Sequence, residues 1–506
     1  NFGVGTFTRK GRTGFPITVT QVSDLIAGTS GPLIDARRYT LFTDAVAAAV
    51  GKTLLVAAAV SLNANTTIGV SISLLVLQSG VISANGFTLT IDGPVVGDPK
   101  HQWLSGFAAG QIFFSRTSVE SVCPDWLLTN TIPGTTDMSI AIQSALATGR
   151  NVVLRDSIYG HTGLNLSTAG QQLGGTVRGI DSLMLYGTVL RKLSGTGIGL
   201  TITGEAWKVS YITFDGNELA GEGVYVNNAD YGEFDKIEIR RVRGTSYGLK
   251  ISGGGGAGYA NISRHGAITI TQCYSGLSID STLYHSFTNL LIGDITDRVM
   301  TITGSHVLRF YNFEHEGVGQ IYITGGSTNI QFWGFEAEPD DLTRALYVVD
   351  GGCKNISYNG VYINRQGVST LPIFHFESSS GINVTDGHII DLVNAAGNTV
   401  INLQGATGVN VSNVFIQSTN AYNFISCVNS IEGLHVDSCN SISGTGAGSL
   451  VLWGNNVLIE NTAYNISFPA GCTGIRNTFI NCSGSIDLTN YPVQDILGVP
   501  MLSFSG

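Results

Sequence analysis

Two near-copies of a nine-residue pattern lie 22 residues apart, and they constrain what this chain can fold into. The first copy is Leu308–Glu316 (LRFYNFEHE), and the second is Ile330–Glu338 (IQFWGFEAE). An internal period of roughly 20 to 50 residues predicts a solenoid, in which each repeat is one coil stacked on the last. The Phe-Glu-X-Glu alternation in each copy is typical of a strand with its aromatic side chain facing the core and its glutamates facing solvent.

Strand signals at similar spacing extend this pattern along the chain. The first strand of a coil is indicated by alternating apolar residues at 211–217, 235–240, 267–271, 287–291, 356–363, 382–387, 409–414 and 434–436. A second strand, followed by a glycine, is indicated at 200–204, 249–253, 300–304 and 321–325. The spacing is roughly 20 to 28 residues, because insertions in the turns leave a coil unchanged. No amphipathic helices alternate with these strands, which disfavours a globular α/β fold. We predict an all-β fold, a right-handed parallel β-helix.

The composition agrees with short strands joined by tight turns. The 506 residues include 66 glycines, and only 12% of them are charged. The net charge of −10 argues against a nucleic-acid partner, since phosphate binding needs a basic surface. It leaves open the binding of sugars, which local groups hold.

The seven cysteines are odd in number and form neither a CxxC pair nor a Cys/His cluster at metal spacing. We predict that they are reduced, buried, small apolar residues of a protein made in a reducing cytosol. We expect neither a bound metal nor a cofactor.

No apolar run in the sequence reaches the length of a membrane span. The candidate Thr53–Leu62 is too short, so we expect no membrane insertion. The chain starts at Asn1 without Met or a signal sequence, and we interpret it as a fragment whose upstream part is missing.

Four regions follow from these patterns: a polar neck or linker at residues 1–36, a β-rich region with a short helix at 37–130, the parallel β-helix at 131–466, and a small β region at 467–506 that caps or trimerises the chain. Two short capping helices are predicted, at Tyr39–Val50 and Met138–Ala147, each followed by a glycine and then a strand. Either Thr136 or Asp137 is expected to cap the second helix. Each helix would cover the open end of a β-stack.

The second helix start resembles a known family. The stretch 135–146 (TTDMSIAIQSAL) looks like the helical start of the pectate-lyase-like β-helix superfamily. Residues 38–55 and the stretch Val122–Trp126 (VCPDW) resemble the lead-in of bacteriophage tailspike polysaccharide depolymerases.

This resemblance implies a homotrimer of parallel β-helices in the virion tail, made in the bacterial host cytoplasm and joined to the phage tail or baseplate through the missing upstream part. Such proteins bind, and usually cleave, a bacterial surface polysaccharide, which is a capsule, an exopolysaccharide or an O-antigen. Their acidic catalytic residues lie in a groove on one face or between subunits.

Four glutamates are the candidate catalytic residues: Glu314, Glu316, Glu336 and Glu338. Residues two apart on a strand are about 6.6 Å apart, and stacked coils are about 4.8 Å apart. Glycoside hydrolysis needs two carboxyl groups at about 5–5.5 Å for retention or about 6.5–9.5 Å for inversion, and this lattice allows either. Because like charges this close disfavour full ionisation, at least one pKa should rise, as a general acid requires.

Sugar-binding residues are predicted around the glutamates. The inward alternation must slip by one residue within each copy, and a bend at Asn312, matched by Gly334, would produce that slip. Arg309, Tyr311 and Trp333 would then point outward, where aromatic rings stack on sugar faces. Without the slip, the two aromatic residues would be core residues. Asp340 and Asp341, in the turn after the second copy, complete the predicted binding set.

Other interpretations of these residues remain open. The glutamates are compatible with a merely solvated surface or with a calcium site, and His315 alternates inward as a core residue. Asp215 is interpreted as a turn residue, while Arg240, Arg241 and Arg243 are either solvated or hold acidic sugars.

Three functions fit these residues. The first is an endo-acting polysaccharide hydrolase, the second a receptor-binding fibre module that does not cleave, and the third a polysaccharide lyase. His388 and Asp391 form a weaker acid–base pair that would suit the lyase.

Overall fold

The computed structural model describes residues 33–97, 100–176, 187–253, 260–317, 319–339, 345–365, 371–391, 398–441, 448–470, 472, 477–487 and 489–490. Most of the predicted neck, residues 1–32, lies outside the described residues, as do Asp340, Asp341 and the last residues, 491–506. The chain divides into two compact units. The N-terminal unit comprises Asn1–Ile132 and Met138–Leu154, and the C-terminal unit comprises Pro133–Asp137 and Arg155–Gly506.

The N-terminal unit contains a short solenoid with three parallel sheets, which the chain visits in turn. The first sheet comprises Leu33–Asp35, Thr53–Val56, Ser73–Val76 and Val95–Val96, the second Ala59–Ser61, Val81–Ser83 and Leu104–Ser105, and the third Thr66–Ile68, Leu89–Ile91 and Ile112–Phe114. A further parallel pair joins Ser121–Val122 to Asn151–Val153. The sequence predicted this region only as β-rich.

Both predicted helices are present in shortened form, at Phe42–Ala48 and Ser139–Ala147. Gly51 and Gly149 follow them with φ of 74° and 71°, the left-handed conformation expected just past a helix end. Single 3-10 turns lie at Ala36–Arg38 and Pro124–Trp126.

The predicted side-chain cap of the second helix is wrong. Met138 occupies the N-cap position and provides no side-chain cap. Asp137 lies outside the cap because its backbone forms a parallel bridge with Gly160. The Met138 side chain is fully buried at this helix start.

The C-terminal unit is a parallel β-solenoid with two long sheets, which confirms the predicted fold class. The broad sheet comprises Ser157–His161, Gln172–Gly174, Thr188–Lys192, Lys208–Ala220, Glu233–Arg243, Ala260–His265, Ile268–Thr271, Thr282–Gly293, His306–Glu316, Thr328–Glu338, Lys354–Asn364, Ser380–Asp391, Thr407–Ser418, Ile431–Asp437, Asn440–Ser441, Gly454–Asn455, Leu458–Glu460 and Thr478–Ile480. The narrow sheet comprises Leu164–Leu166, Leu200–Ile202, Val224–Asn227, Tyr247–Ser252, Ser275–Asp280, Met300–Thr303, Ile321–Thr324, Tyr347–Val349, Phe374–Glu377, Asn398–Gln404, Tyr422–Cys427, Gly448–Val451 and Asn465–Ser467.

A left-handed bend divides many of the long strands of the broad sheet. Asn312 and Gly334 have φ of 52° and 61°, as the sequence predicted for these two positions. Asn289 and Asn413 adopt the same conformation in other coils, and asparagine tolerates it better than most residues. The amide of Asn312 donates to the side-chain oxygen of Asn289 at 3.0 Å, which ties adjacent bends together.

Aromatic rings stack along the interior of the solenoid. Phe287, Phe310, Phe332 and Tyr358 occupy matching positions in successive coils, with centroid separations of 5.0, 4.7 and 5.1 Å and ring planes within 10° of parallel. All four side chains are fully buried. Stacked pairs of this kind contribute about 0.5–1.5 kcal/mol beyond the burial of their area, so this column stabilises the coil register.

The cysteines and the C-terminal residues continue the same architecture. All seven cysteines are free, and six are buried, as predicted, while Cys482 is half-buried. Coil register persists into the C-terminal region, where Leu458 pairs with Thr478 and Ile466 with Ile486. A trimerising role for this end stays a prediction.

The ring column predicts a position-specific loss of stability. Phe332→Ala should lower the free energy of unfolding by about 3–5 kcal/mol, because it removes a buried ring and leaves a cavity. The adjacent Gln331→Ala changes an outward side chain and should cost less than about 0.5 kcal/mol. Urea titrations of both variants compare the two losses, and equal losses would contradict the assigned orientation.

Candidate functional site

The four candidate glutamates lie on one outer wall of the broad sheet. After the bend at Asn312 or Gly334, the phenylalanine of each copy returns to the core and the two glutamates face outward. Strand register places Glu314 opposite Glu336 and Glu316 opposite Glu338 in the adjacent coil. We call Glu314, Glu316, Glu336 and Glu338 the glutamate quartet.

The electrostatics of the quartet single out Glu314. Partial burial, followed by the charges of Glu336, Glu316 and Glu338, raises the pKa of Glu314 above its usual range. A carboxyl group whose pKa is raised by burial and by neighbouring carboxylates has the property that a general acid needs. The sequence predicted that at least one of these glutamates has a raised pKa. In the structure this is Glu314, which is more buried than Glu336 opposite it.

An aromatic pair lies on the other side of the bend. Tyr311 and Trp333 stack with centroids 4.9 Å apart and planes 7° from parallel. Tyr311 is 37% exposed, and Arg309, two residues earlier, is exposed beside it. The predicted slip of the strand alternation is therefore present, and the predicted binding residues in the described part of the chain face outward.

His315 is a core residue, as its alternation predicted. It is fully buried, and its Nε2 lies 2.7 Å from the Tyr347 hydroxyl. Burial lowers the pKa of His315 to about 3, so the ring is neutral at ordinary pH. It supports the strand that carries Glu314 and Glu316 but does not reach the outer wall.

Sequence reasoning did not connect two further residues to the quartet. Register places Tyr362 opposite Glu336, and His388 opposite Tyr362, in successive coils. The Tyr362 and His388 rings meet edge to face, with centroids 5.8 Å apart. The Nε2 atom of His388 is buried and has no hydrogen-bond partner among the described residues. A uniform spacing of 26 residues from Glu336 to Tyr362 to His388 was the available sequence signal.

Asp215 combines the predicted turn role with a buried ion pair. Its Oδ1 accepts the Asn217 amide at 2.9 Å, the pattern of an Asx turn. Its side chain is fully buried between Arg191 and Arg241. Arg243 pairs instead with Glu218, and its side chain is exposed to solvent.

Neither a metal-binding cluster nor a membrane-spanning helix is present among the described residues. The part of the chain that the structure describes contains no group of three or more His, Cys, Asp or Glu residues arranged to hold a metal ion. Within the same ranges, every helix is too short or too polar to cross a membrane.

No protein-family model and no curated protein sequence matches the chain. Among solved structures, the A-module of mannuronan C-5 epimerase AlgE6 from Azotobacter vinelandii is similar with a TM-score of 0.44 and 13% identity, over 70% of this chain and 96% of that chain. The Dettilon tailspike protein has a TM-score of 0.42 and 11% identity, over 71% and 68% of the two chains. Tailspike protein 3 of bacteriophage CBA120 has a TM-score of 0.35 and 12% identity, over 74% and 64%.

The raised pKa of Glu314 predicts a pH-dependent effect on stability. Because the folded state holds this proton more tightly than the unfolded state, the stabilising contribution is complete below pH 4.5 and is lost as pH rises through the folded pKa. Glu314→Gln should therefore raise the melting temperature relative to wild type at pH 7, with the gain shrinking below pH 4.5.

Thermal unfolding at pH 7 and below pH 4.5 measures this effect. Glu205 is an exposed glutamate outside the quartet, so Glu205→Gln is the matched control. A gain of the same size at both pH values would show that charge repulsion at Glu314 is not its source.

Proposed function

We propose that this protein is a phage tailspike depolymerase that endo-hydrolyses glycosidic bonds of a bacterial surface polysaccharide with the glutamate quartet. The observation that carries this proposal is the register of Glu314 with Glu336 on one outer wall, beside the stacked rings of Tyr311 and Trp333. Paired carboxyl groups and an adjacent apolar platform are what a glycoside hydrolase needs.

In the proposed mechanism, Glu314 is the general acid. It donates its proton to the leaving glycosidic oxygen, because its raised pKa keeps it protonated more readily than an ordinary glutamate. Glu336 is proposed as its partner, since it is opposite Glu314 in the adjacent coil and its charge contributes more to that shift than the charges of the other two glutamates. It acts either as the nucleophile or as the base that activates water.

The strand lattice accommodates either stereochemical outcome. Across coils, the Cα separation of Glu314 and Glu336 is about 4.8 Å, which is compatible with the closer carboxyl spacing of retaining enzymes. Along one strand, Glu314 and Glu316 are about 6.6 Å apart, closer to the spacing of inverting enzymes. Glu316 and Glu338 thus either supply the second carboxylate or contribute negative charge that raises the pKa of Glu314.

Substrate binding is assigned to the wall on the other side of the bend. The Tyr311 and Trp333 rings cover one face of each other, so the apolar face of a sugar packs against the free face of either ring, and Arg309 donates hydrogen bonds beside the pair. Asp340 and Asp341 are proposed to contact sugar hydroxyl groups. The assembly is proposed to be a homotrimer in the virion tail.

Glu314→Gln and Glu336→Gln should each lower the cleavage rate by roughly 10²- to 10⁴-fold, because each removes an acid, base or nucleophile without changing side-chain volume. Binding of the polysaccharide should persist. Purified capsule and O-antigen, sized by gel filtration after incubation, measure cleavage, and Glu205→Gln serves as the surface control. Full activity in all four quartet variants would place the active site elsewhere, and binding without any wild-type cleavage would favour the fibre module.

A polysaccharide lyase is the second candidate, and one observation favours it. Tyr362 and His388 continue the column of Glu336, and the buried Nε2 of His388 has no partner among the described residues. In this alternative, His388 is the base that takes the C5 proton of a uronic sugar, and the Tyr362 hydroxyl protonates the leaving oxygen.

The two mechanisms give different products. If the quartet hydrolyses the bond, digestion yields no new ultraviolet absorbance, and His388→Gln keeps most of the activity. An unsaturated product that absorbs in the ultraviolet, together with loss of activity in both Tyr362→Phe and His388→Gln, would replace hydrolysis with elimination.

A further inference from the structure

Three guanidinium groups lie together on the outer wall of the broad sheet, away from the quartet. Arg191, Asp215 and Arg240 are opposite one another in successive coils, and Arg241 follows Arg240. We call Arg191, Arg240 and Arg241 the arginine cluster. Their side chains are 22–30% exposed, so each is partly accessible to solvent.

The cluster has more hydrogen-bond donors than its carboxylates can accept. Asp215 accepts from Arg191 Nε at 3.2 Å, from Asn217 at 2.9 Å and from two nitrogens of Arg241. That fills the roughly four acceptor positions of one carboxylate, while three guanidinium groups carry about fifteen N–H donors.

Arg240 is the least satisfied member. Its Nη1 lies 3.6 Å from Glu238 Oε1, too far for a hydrogen bond, and its Nε is buried with no partner among the described residues. A surplus of oriented donors on partly exposed arginines suits an acceptor that comes from outside the protein, such as the carboxylate of a ligand.

The charge balance of the cluster is positive, although the chain carries a net charge of −10. Burial opposes the ionisation of Asp215, but the Arg241 hydrogen bond holds the pKa of Asp215 below its usual range. Burial raises the pKa of Glu238, so this residue offsets less positive charge than an ordinary glutamate. Three arginines therefore face two carboxylates, Asp215 and Glu238, which leaves an excess of positive charge in the cluster.

The cluster and the quartet lie along one column of the broad sheet. Arg240 is opposite Thr271, and Thr271 is opposite Gly293. The Glu316 side chain lies next to Gly293, since a Cβ on this glycine would be 3.5 Å from Glu316 Oε2. Three coils at about 4.8 Å each give a separation of about 14 Å between Arg240 and Glu316, within reach of one extended oligosaccharide.

We propose that the arginine cluster is a subsite for a carboxylate-bearing sugar of the polymer that the quartet cleaves. The proposal rests on the proposed function and deepens it, because it names the substrate class as an acidic polysaccharide. Bidentate contacts from Arg240, supported by Arg191, hold the sugar carboxylate and fix the polymer relative to the quartet.

Saturation-transfer NMR with the full chain tests this subsite, with sodium glucuronate as the probe and glucose as its neutral counterpart. We expect glucuronate to bind and glucose not to. Arg240→Gln should weaken glucuronate binding by about tenfold or more, the loss expected for a charge-assisted hydrogen bond. Arg240→Lys, which keeps the charge without the planar fork, should retain part of the affinity.

Lys354→Gln, which removes one positive charge from an exposed position of the same solenoid, is the matched control and should bind glucuronate like wild type. Thermal melting of each variant separates loss of the subsite from loss of folding, and Arg240→Lys keeps the test valid if Arg240→Gln unfolds. Equal binding of glucuronate and glucose, or unchanged glucuronate binding in folded Arg240→Gln, overturns the subsite.

The cleavage assay distinguishes failure of the subsite from failure of the function. Wild-type cleavage without any preference for glucuronate would leave the hydrolase standing and remove the subsite. Glucuronate binding that depends on Arg240, without cleavage of any polysaccharide, would support the subsite and contradict the hydrolase. Glucuronate binding that persists in Glu314→Gln would show that the cluster binds independently of the quartet.

Discussion

The bend in the long strands of the broad sheet is the constraint on which the outer wall depends. Side chains alternate with a period of two along a strand, so one extra residue exchanges the inner and outer faces. The left-handed residue at Asn312 or Gly334 makes that exchange once per coil. It lets Phe310 and Phe313 both face the core while Tyr311 and Glu314 both face solvent. Stacked rings in the interior hold successive coils in register. Equivalent side chains of successive strands therefore form columns along the solenoid.

Register then determines the electrostatics of the candidate site. Like charges opposite one another on parallel strands destabilise the fold, and the interior ring column offsets that cost. The same repulsion, added to partial burial, raises the pKa of Glu314. The alignment of the quartet carboxylates thus produces both the raised pKa of Glu314 and the local loss of stability. The arginine cluster has the opposite balance on the same wall, with guanidinium donors in excess.

Much of this arrangement was predictable from residues in sequence. The spacing of 22 residues fixed the quartet's register, and the conflict between Phe310 and Phe313 required the bend at Asn312. Other features had no such signal. The three-sheet solenoid of the N-terminal unit has strands of two to four residues, too short to show a clear alternation. Coil length changes from 22 to 26 residues after the quartet, which hid the alignment of Tyr362 and His388 with Glu336. Ile262 and Val307 are also left-handed, with φ of 50° and 56°, although β-branched residues disfavour that conformation, so pattern alone could not have placed these bends.

A crystal structure of Glu336→Gln with oligosaccharides from partial acid hydrolysis of the host's surface polysaccharide tests the central claim most directly. The account predicts a sugar ring packed against Tyr311 or Trp333, with a glycosidic oxygen about 2.6–3.2 Å from a Glu314 carboxyl oxygen. An oligosaccharide bound on the narrow sheet, or on the broad sheet away from every quartet carboxyl group, would contradict it.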